Sequence, residues 1–276
     1  QAEDGIRDVE RSRGLGDVYK RQASMAMINF LRGIEYLKDN NIDTTKYENV
    51  ADDFFDTWLR TNNQAQITTG DDSGAYVERV YYDDTGNYSS FGNASAAVTG
   101  QVMSAMWAYY KYLGNIGEST KASNWIDNAW TIFQNAANYL VNLYDDYNGI
   151  DINLLPANTT NKDCWIHAAV HGKVALEAAV NWATLKSAST SDYSRVASDL
   201  ATGIENMKDT GTTKNYYKVR KWNGTSYNSP EYDGSFDQLC HSPIEFEAIT
   251  PDSHSVDVDD WWTDGDGTYE MTYVTA

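Results

Sequence analysis

Eight carboxylates fall in the Gly-, Asn- and Tyr-rich stretches that separate helical segments: Glu78, Asp83, Asp84, Asp145, Asp146, Asp151, Asp233 and Asp237. Two carboxyls flanking a glycosidic bond suffice for acid-catalysed cleavage, roughly 6.5–9.5 Å apart for inversion and about 5–5.5 Å for retention, provided that one stays protonated. Any single member of such a set can equally be a solvated loop carboxylate. Tyr76, Arg79, Tyr82, Trp222 and Tyr232 stand near them in the chain. Aromatic faces stack on sugars and a guanidinium donates to their hydroxyls, but core packing and loop stapling use the same residues.

A second set is "CWIHAAVH", whose spacing predicts Cys164, His167 and His171 on one helical face, with Cys240-His241 opening a later helix. Thiolate and imidazole together suit zinc. The spacing matches no established zinc motif, however, and a hydrogen-bonded core histidine accounts for each His as well, so no metal is assigned. A Cys164–Cys240 disulfide stays open, since two cysteines make no framework. "DGDG" from Asp264 lacks the remaining ligands of a calcium loop and reads as a turn. With neither a Gly-rich phosphate loop nor a nucleophile elbow, no cofactor is expected.

Charge narrows the partners. The net charge of −19 with a pI near 4.4 argues against nucleic acid, whose phosphates need clustered Lys and Arg. No stretch approaches the roughly 20 apolar residues of a membrane span. The 20 Tyr, 9 Trp and 7 Phe are unusually many; some fill the core, and aromatic faces also line clefts that bind a neutral oligosaccharide or polysaccharide, so by themselves they decide little. Four sequons, at Asn87, Asn93, Asn158 and Asn223, are about what this Asn-, Ser- and Thr-rich composition produces by chance.

The elements that must position these groups come from a repeat of about 70 residues. Segments with apolar residues on more than one face begin at Ala23, Ala94, Asp163 and Phe236. Each of the first three is followed by a helix with a single stripe: Tyr47, Val50, Phe54, Trp58; then Ile126, Trp130, Phe133, Ala137, Leu140; then Tyr193, Val196, Leu200, Ile204, Met207. Two-sided helices belong inside and one-stripe helices outside. Short links within each pair (39–44, 114–121, 187–190) alternate with long ones between pairs (61–93, 144–162, 209–235), which sends every long connection to one rim. "GAYVERVYYDDTG" and "NYYKVRKWNGTSY", the latter around Asn223-Gly224, predict short ribbons within those connections.

On these residues the chain resembles the glucoamylase-type glycoside hydrolases, family 15, among the six-hairpin (α/α)6 toroids. "GAYVERVYYDDTG" followed by "AAVTGQVMSAMWAYYKYLGN" is similar to the family's aromatic loop and the inner helix after it. "YDGSFDQLCHSPIEFEAITPDS" resembles its Asp-x-Ser motif, and "ASMAMINFL" the helix that follows its Arg-Asp pair. The resemblance implies an all-α, incomplete (α/α)6 toroid of about four hairpins over residues 23–276, with long loops on one rim. It implies general acid/base hydrolysis of α-linked glucans or oligosaccharides, with Asp151 in the loop of the general acid and Asp233, Arg79, Tyr82, Glu78, Trp222 and Tyr232 as substrate-binding residues. Two departures count against catalysis: that loop contains no Glu, and Ala97 replaces the acidic residue before Thr99-Gly100. The base is expected beyond Ala276. The alternatives are a non-catalytic extracellular glycan-binding or surface module on the same scaffold, and a different six-hairpin enzyme, an unsaturated-sugar hydrolase or a lyase. An extracellular or cell-surface location follows from the substrate class alone.

Residues 1–22 stand apart. They carry five acids and five bases, so the whole net charge belongs to 23–276, and they show neither a helical nor a strand period. Asp17-Val18-Tyr19-Lys20-Arg21-Gln22 resembles a translated sequencing adaptor fused to an environmental gene, which sets 1–22 aside as a non-native segment.

Overall fold

The structure is a computed structural model that describes residues 17–61, 63, 65–82, 88–207 and 218–230, the side chains of 17–23, 79–82 and 88–91 excepted. Helix predominates among the described residues, in keeping with the all-α class. The chain divides into two compact units, residues 1–136 and 137–276.

The first unit runs β1 (Asp17–Tyr19), α1 (Lys20–Asp39), α2 (Thr45–Asp52), a π-helical turn (Asp53–Thr61), β2 (Val77–Tyr82), β3 (Tyr88–Ala94), α3 (Ala96–Asn115) and the first part of α4 (Ser119–Asp146). The three strands form an antiparallel sheet in the order β1-β2-β3, with Val80 opposite both Val18 and Ser90. Although residues 17–22 show no apolar period, 17–19 pair with β2 and 20–22 are the first turn of α1. Ladder hydrogen bonds join backbone groups and need no apolar pattern.

Residues 96–103 at the head of α3 are buried all round, as expected of an inner helix. Ser95 caps it by accepting the Val98 N–H at 3.3 Å. Thr99 ties the preceding connection down, since its Oγ1 accepts the Tyr76 N–H at 3.0 Å and donates to the Ser95 carbonyl at 2.7 Å.

The first hairpin departs from expectation twice. Among the described side chains of α1 the buried ones are Ser24, Leu31 and Ile34, while Tyr36 is 68% exposed; the helix packs chiefly on α3. In the second helix Tyr47 and Val50 are exposed, and the buried residues are Ala51, Phe55 and Leu59. The change to i→i+5 winding at Asp53 alters the phase between side chains. Phe55 then stacks on Tyr109 of α3 at 4.2 Å, and Tyr109 meets Trp125 of α4 edge-on at 5.0 Å.

The second unit holds the rest of α4, a 3-10 turn (Gly149–Asp151), α5 (Ile166–Leu185) and α6 (Ser191–Asn206). Residues 168–173 of α5 are buried all round, including His171 and Lys173, whose ammonium bonds Glu177 at 2.7 Å. The stripe expected on α6 is the buried one: Tyr193, Val196, Leu200, Ile204 and, just past its end, Met207. It packs on α5. Gly203 lets the 147–165 connection lie against α6, because a Cβ there would stand 1.8 Å from the Asn153 carbonyl oxygen. The helical segment expected from Phe236 lies outside the described residues.

Candidate functional site

In the second unit two long connections meet at the head of α5. Cys164, just before that helix, and Arg220 exchange both backbone hydrogen bonds, N–H to carbonyl at 2.8 and 3.2 Å. Beyond Arg220 the chain turns back on itself, with Trp222 opposite Tyr227, as the expected ribbon around Asn223-Gly224 requires. The Trp222 and Tyr227 rings meet edge to face at 5.0 Å.

Charged side chains from the earlier connection fix the indole. Asp163 Oδ1 accepts the Trp222 backbone N–H at 2.9 Å, and the Lys162 ammonium lies 4.9 Å over the Trp222 ring. That ammonium also donates to Asn148 Oδ1 at 2.7 Å, and Asn148 Nδ2 donates to Asp151 Oδ2 at 3.3 Å. Asn148 and Asn153 adopt left-handed backbone, which Asn tolerates better than most residues. Tyr144, on the last turns of α4, holds the far end of the loop by donating to Asn153 Oδ1 at 2.9 Å and Asp199 Oδ2 at 3.1 Å. Arg195 bonds Asp145 at 2.7 Å.

Beneath the rings lies Cys164. Its buried Sγ is 3.5 Å from both the Lys162 carbonyl and the Tyr227 hydroxyl, and burial pushes the thiol up to about 12. Burial also raises Tyr227 well above the usual phenol range, aided by Cys164 and by the charges of Asp151 and Asp163. Both therefore stay protonated at neutral pH and act as hydrogen-bonding packing groups.

Asp151 and Trp222 are thus linked through Asn148 and Lys162. Sequence reasoning missed Asn148, Lys162 and Asp163, although "NKDCW" immediately before a two-sided helix is a polar run with somewhere to point. Of the remaining expected binding residues, Glu78, Arg79 and Tyr82 lie on β2 of the first unit. Glu78 is exposed and sits over Gly92, while the side chains of Arg79 and Tyr82 lie outside the described ones. Tyr232 and Asp233 lie outside the described residues, as do Asp83, Asp84, Asp237, Cys240 and His241. Tyr76 is wholly buried in the first unit's core, as are Ala75 and Val77 beside it, and offers no face to a sugar.

The soft-ligand set is also corrected. Cys164 does not share a helical face with His167 and His171, because α5 starts at Ile166 and the backbone bridge to Arg220 holds Cys164 extended. Among the described residues no group of three or more His, Cys, Asp or Glu is placed to hold a metal ion, and no helix is long and apolar enough to cross a membrane. No known protein family matches this chain, and no curated protein does.

Proposed function

We propose that this chain belongs to a glycoside hydrolase-like protein of the glucoamylase type, with a partial (α/α)6 toroid whose long-loop rim takes neutral α-linked glucans or oligosaccharides outside the cell or at its surface. One observation carries the reading: an aromatic face, Trp222, is locked in place beside two carboxylates and an ammonium where two long connections meet. An indole supplies the apolar face on which a pyranose stacks, and Asp151, Asn148 and Lys162 supply acceptors and donors for its hydroxyls. Tyr232 and Asp233, and in the first unit Glu78, Arg79 and Tyr82, stay binding residues of this proposal only as the resemblance implies. In the hydrolytic form Asp151 protonates the leaving oxygen, and a base from another hairpin activates water.

The second reading, a glycan-binding module without catalysis, is favoured by the exposure of Asp151. General acids of glycosidases are ordinarily sheltered from solvent, and this side chain is exposed.

Retention on immobilised amylose and titration with maltooligosaccharides test both readings. Wild type is expected to bind and Trp222→Ala to bind on the order of tenfold more weakly, which corresponds to about 1.4 kcal/mol. Reducing-sugar release abolished by Asp151→Asn, with binding kept, selects the hydrolase; binding without release selects the module. Equal binding by wild type and Trp222→Ala, or none to any neutral α-glucan, overturns the proposal.

A further inference from the structure

Two Asn-Gly pairs border the rim, Asn148-Gly149 and Asn223-Gly224, and the fold treats them in opposite ways. Asn148 is half-buried with both amide atoms held by charged partners, Oδ1 by Lys162 and Nδ2 by Asp151. Gly149 is buried so tightly that a Cβ would lie 2.6 Å from the Leu154 carbonyl oxygen and 2.9 Å from the Tyr144 backbone. Asn223 is exposed at the tip of a turn. Gly224 has φ of +101°, and a Cβ on it would meet nothing within 4 Å. Asn223 Oδ1 accepts three hydrogen bonds, from the Thr225 N–H, the Thr225 hydroxyl and the Ser226 N–H, each at 3.0 Å, and its Nδ2 donates to the uncharged Ser226 Oγ at 3.2 Å, so no charged partner holds this amide.

From this contrast we infer that Asn223 is a site of selective, self-catalysed deamidation through a succinimide, with water as the only co-reactant. The Gly224 backbone nitrogen, after losing its proton to hydroxide, attacks Asn223 Cγ. The N–Cγ bond forms, and the negative charge that develops on Oδ1 falls where three donors already point, the arrangement that stabilises tetrahedral intermediates of acyl transfer. The Cγ–Nδ2 bond then breaks, and Nδ2 leaves as ammonia with a proton from solvent. Water opens the ring at either carbonyl, leaving Asp or isoaspartate. Ring closure needs the Asn-Gly backbone to rotate, which open space at Gly224 allows and packing at Gly149 forbids. The product carries a new negative charge one residue from Trp222, and its isoaspartate form lengthens the backbone of the turn that pairs Trp222 with Tyr227.

The whole chain, folded and incubated at mildly alkaline pH in ordinary and heavy-oxygen water, is digested and mapped by mass spectrometry with fragmentation that separates Asp from isoaspartate. Both sites are read in one sample. Asn223 is expected to convert on the order of tenfold faster than Asn148. The Thr225→Val variant is expected to slow Asn223 several-fold without changing Asn148, and denaturant to bring the two rates together. Equal rates in the folded chain overturn the inference. So does an unchanged rate in Thr225→Val, or a preference for Asn223 that survives denaturation, since the fold would then contribute nothing. A drop in amylose retention by the converted protein rests on the sugar-binding reading; the mass measurement stands without it.

Discussion

Asp163 and Trp222 are 59 residues apart in the chain, yet the carboxylate of the first accepts the backbone N–H of the second at 2.9 Å. A charge-assisted bond of this kind contributes about 1.5–3 kcal/mol when its carboxylate is sheltered, and Asp163 is only half-buried, so the lower end applies. On the glycan-binding proposal, Asp163→Ala is expected to lower glucan affinity by roughly tenfold; independently of it, the variant is expected to red-shift Trp222 fluorescence as the indole becomes wetter. Asp163→Asn, which keeps an acceptor oxygen, restores most of both. An alanine variant with wild-type affinity and spectrum refutes the positioning role.

In the first unit, Asp52 accepts the Tyr109 hydroxyl at 2.6 Å and pairs with Lys121. Tyr109→Phe keeps the stack on Phe55 and loses one hydrogen bond, at an expected cost of about 1 kcal/mol in denaturant unfolding. Asp52→Ala is expected to cost more, about 2–3 kcal/mol, because it strands a sheltered hydroxyl and an ammonium together. The reverse order contradicts this account.

Two glycines should respond in opposite directions to alanine. Gly203→Ala drives a methyl into a backbone carbonyl and is expected to destabilise by about 1–3 kcal/mol, displacing the loop that carries Asp151. Gly33→Ala, in α1 with nothing within 4 Å of the added carbon, is expected to stabilise by about 0.5–1 kcal/mol through the entropy of the unfolded chain. Thermal melts of the two variants check both signs.

Glu48 lies below the usual carboxylate range because Lys38 bonds it at 2.9 Å and the Thr44 hydroxyl donates to it. A depressed folded value means that the carboxylate stabilises the fold above its unfolded value of 4.5 and that this contribution is lost as pH falls through the folded value. Solvent screens the pair, so the effect stays under about 1 kcal/mol. Glu48→Gln is expected to lower the melting temperature slightly at pH 7 and to match wild type in acid below the folded value. A constant difference across that range rules out the ion pair as its source.

Cys164 provides a check on burial beneath the Trp222–Tyr227 ring pair. Its raised value keeps the thiol protonated up to about 12, so alkylation at pH 8, read at the Cys164 peptide, is expected to proceed only as fast as the unit opens. Stability from this buried thiol is present below its unfolded value of 9.0 and is lost as pH rises toward the folded one. Rapid labelling of the native chain shows instead that the ring pair does not cover the sulfur.

Periodicity determined the helices of this protein. Their order, the short links read at 39–44, 114–121 and 187–190 and found at 40–44, 116–118 and 186–190, the buried stripe on α6 and the all-round burial at the heads of α3 and α5 follow from 3.6-residue spacing, because local hydrogen bonding and apolar faces are encoded residue by residue. The turn at Asn223-Gly224 was legible for the same reason. Tertiary structure decided the rest. Which face of the second helix is buried depends on a change of winding at Asp53 that no apolar count contains. Cys164 left its expected helical face because a backbone bridge to Arg220 holds it extended. Asp163 and Lys162 reach Trp222 across 59 and 60 residues of chain, and Asn148 joins them through Lys162, set by where α5 and α6 pack their connections. Patterns in sequence report energies between near neighbours, whereas such a cluster is assembled by contacts whose partners become neighbours only after the helices have packed.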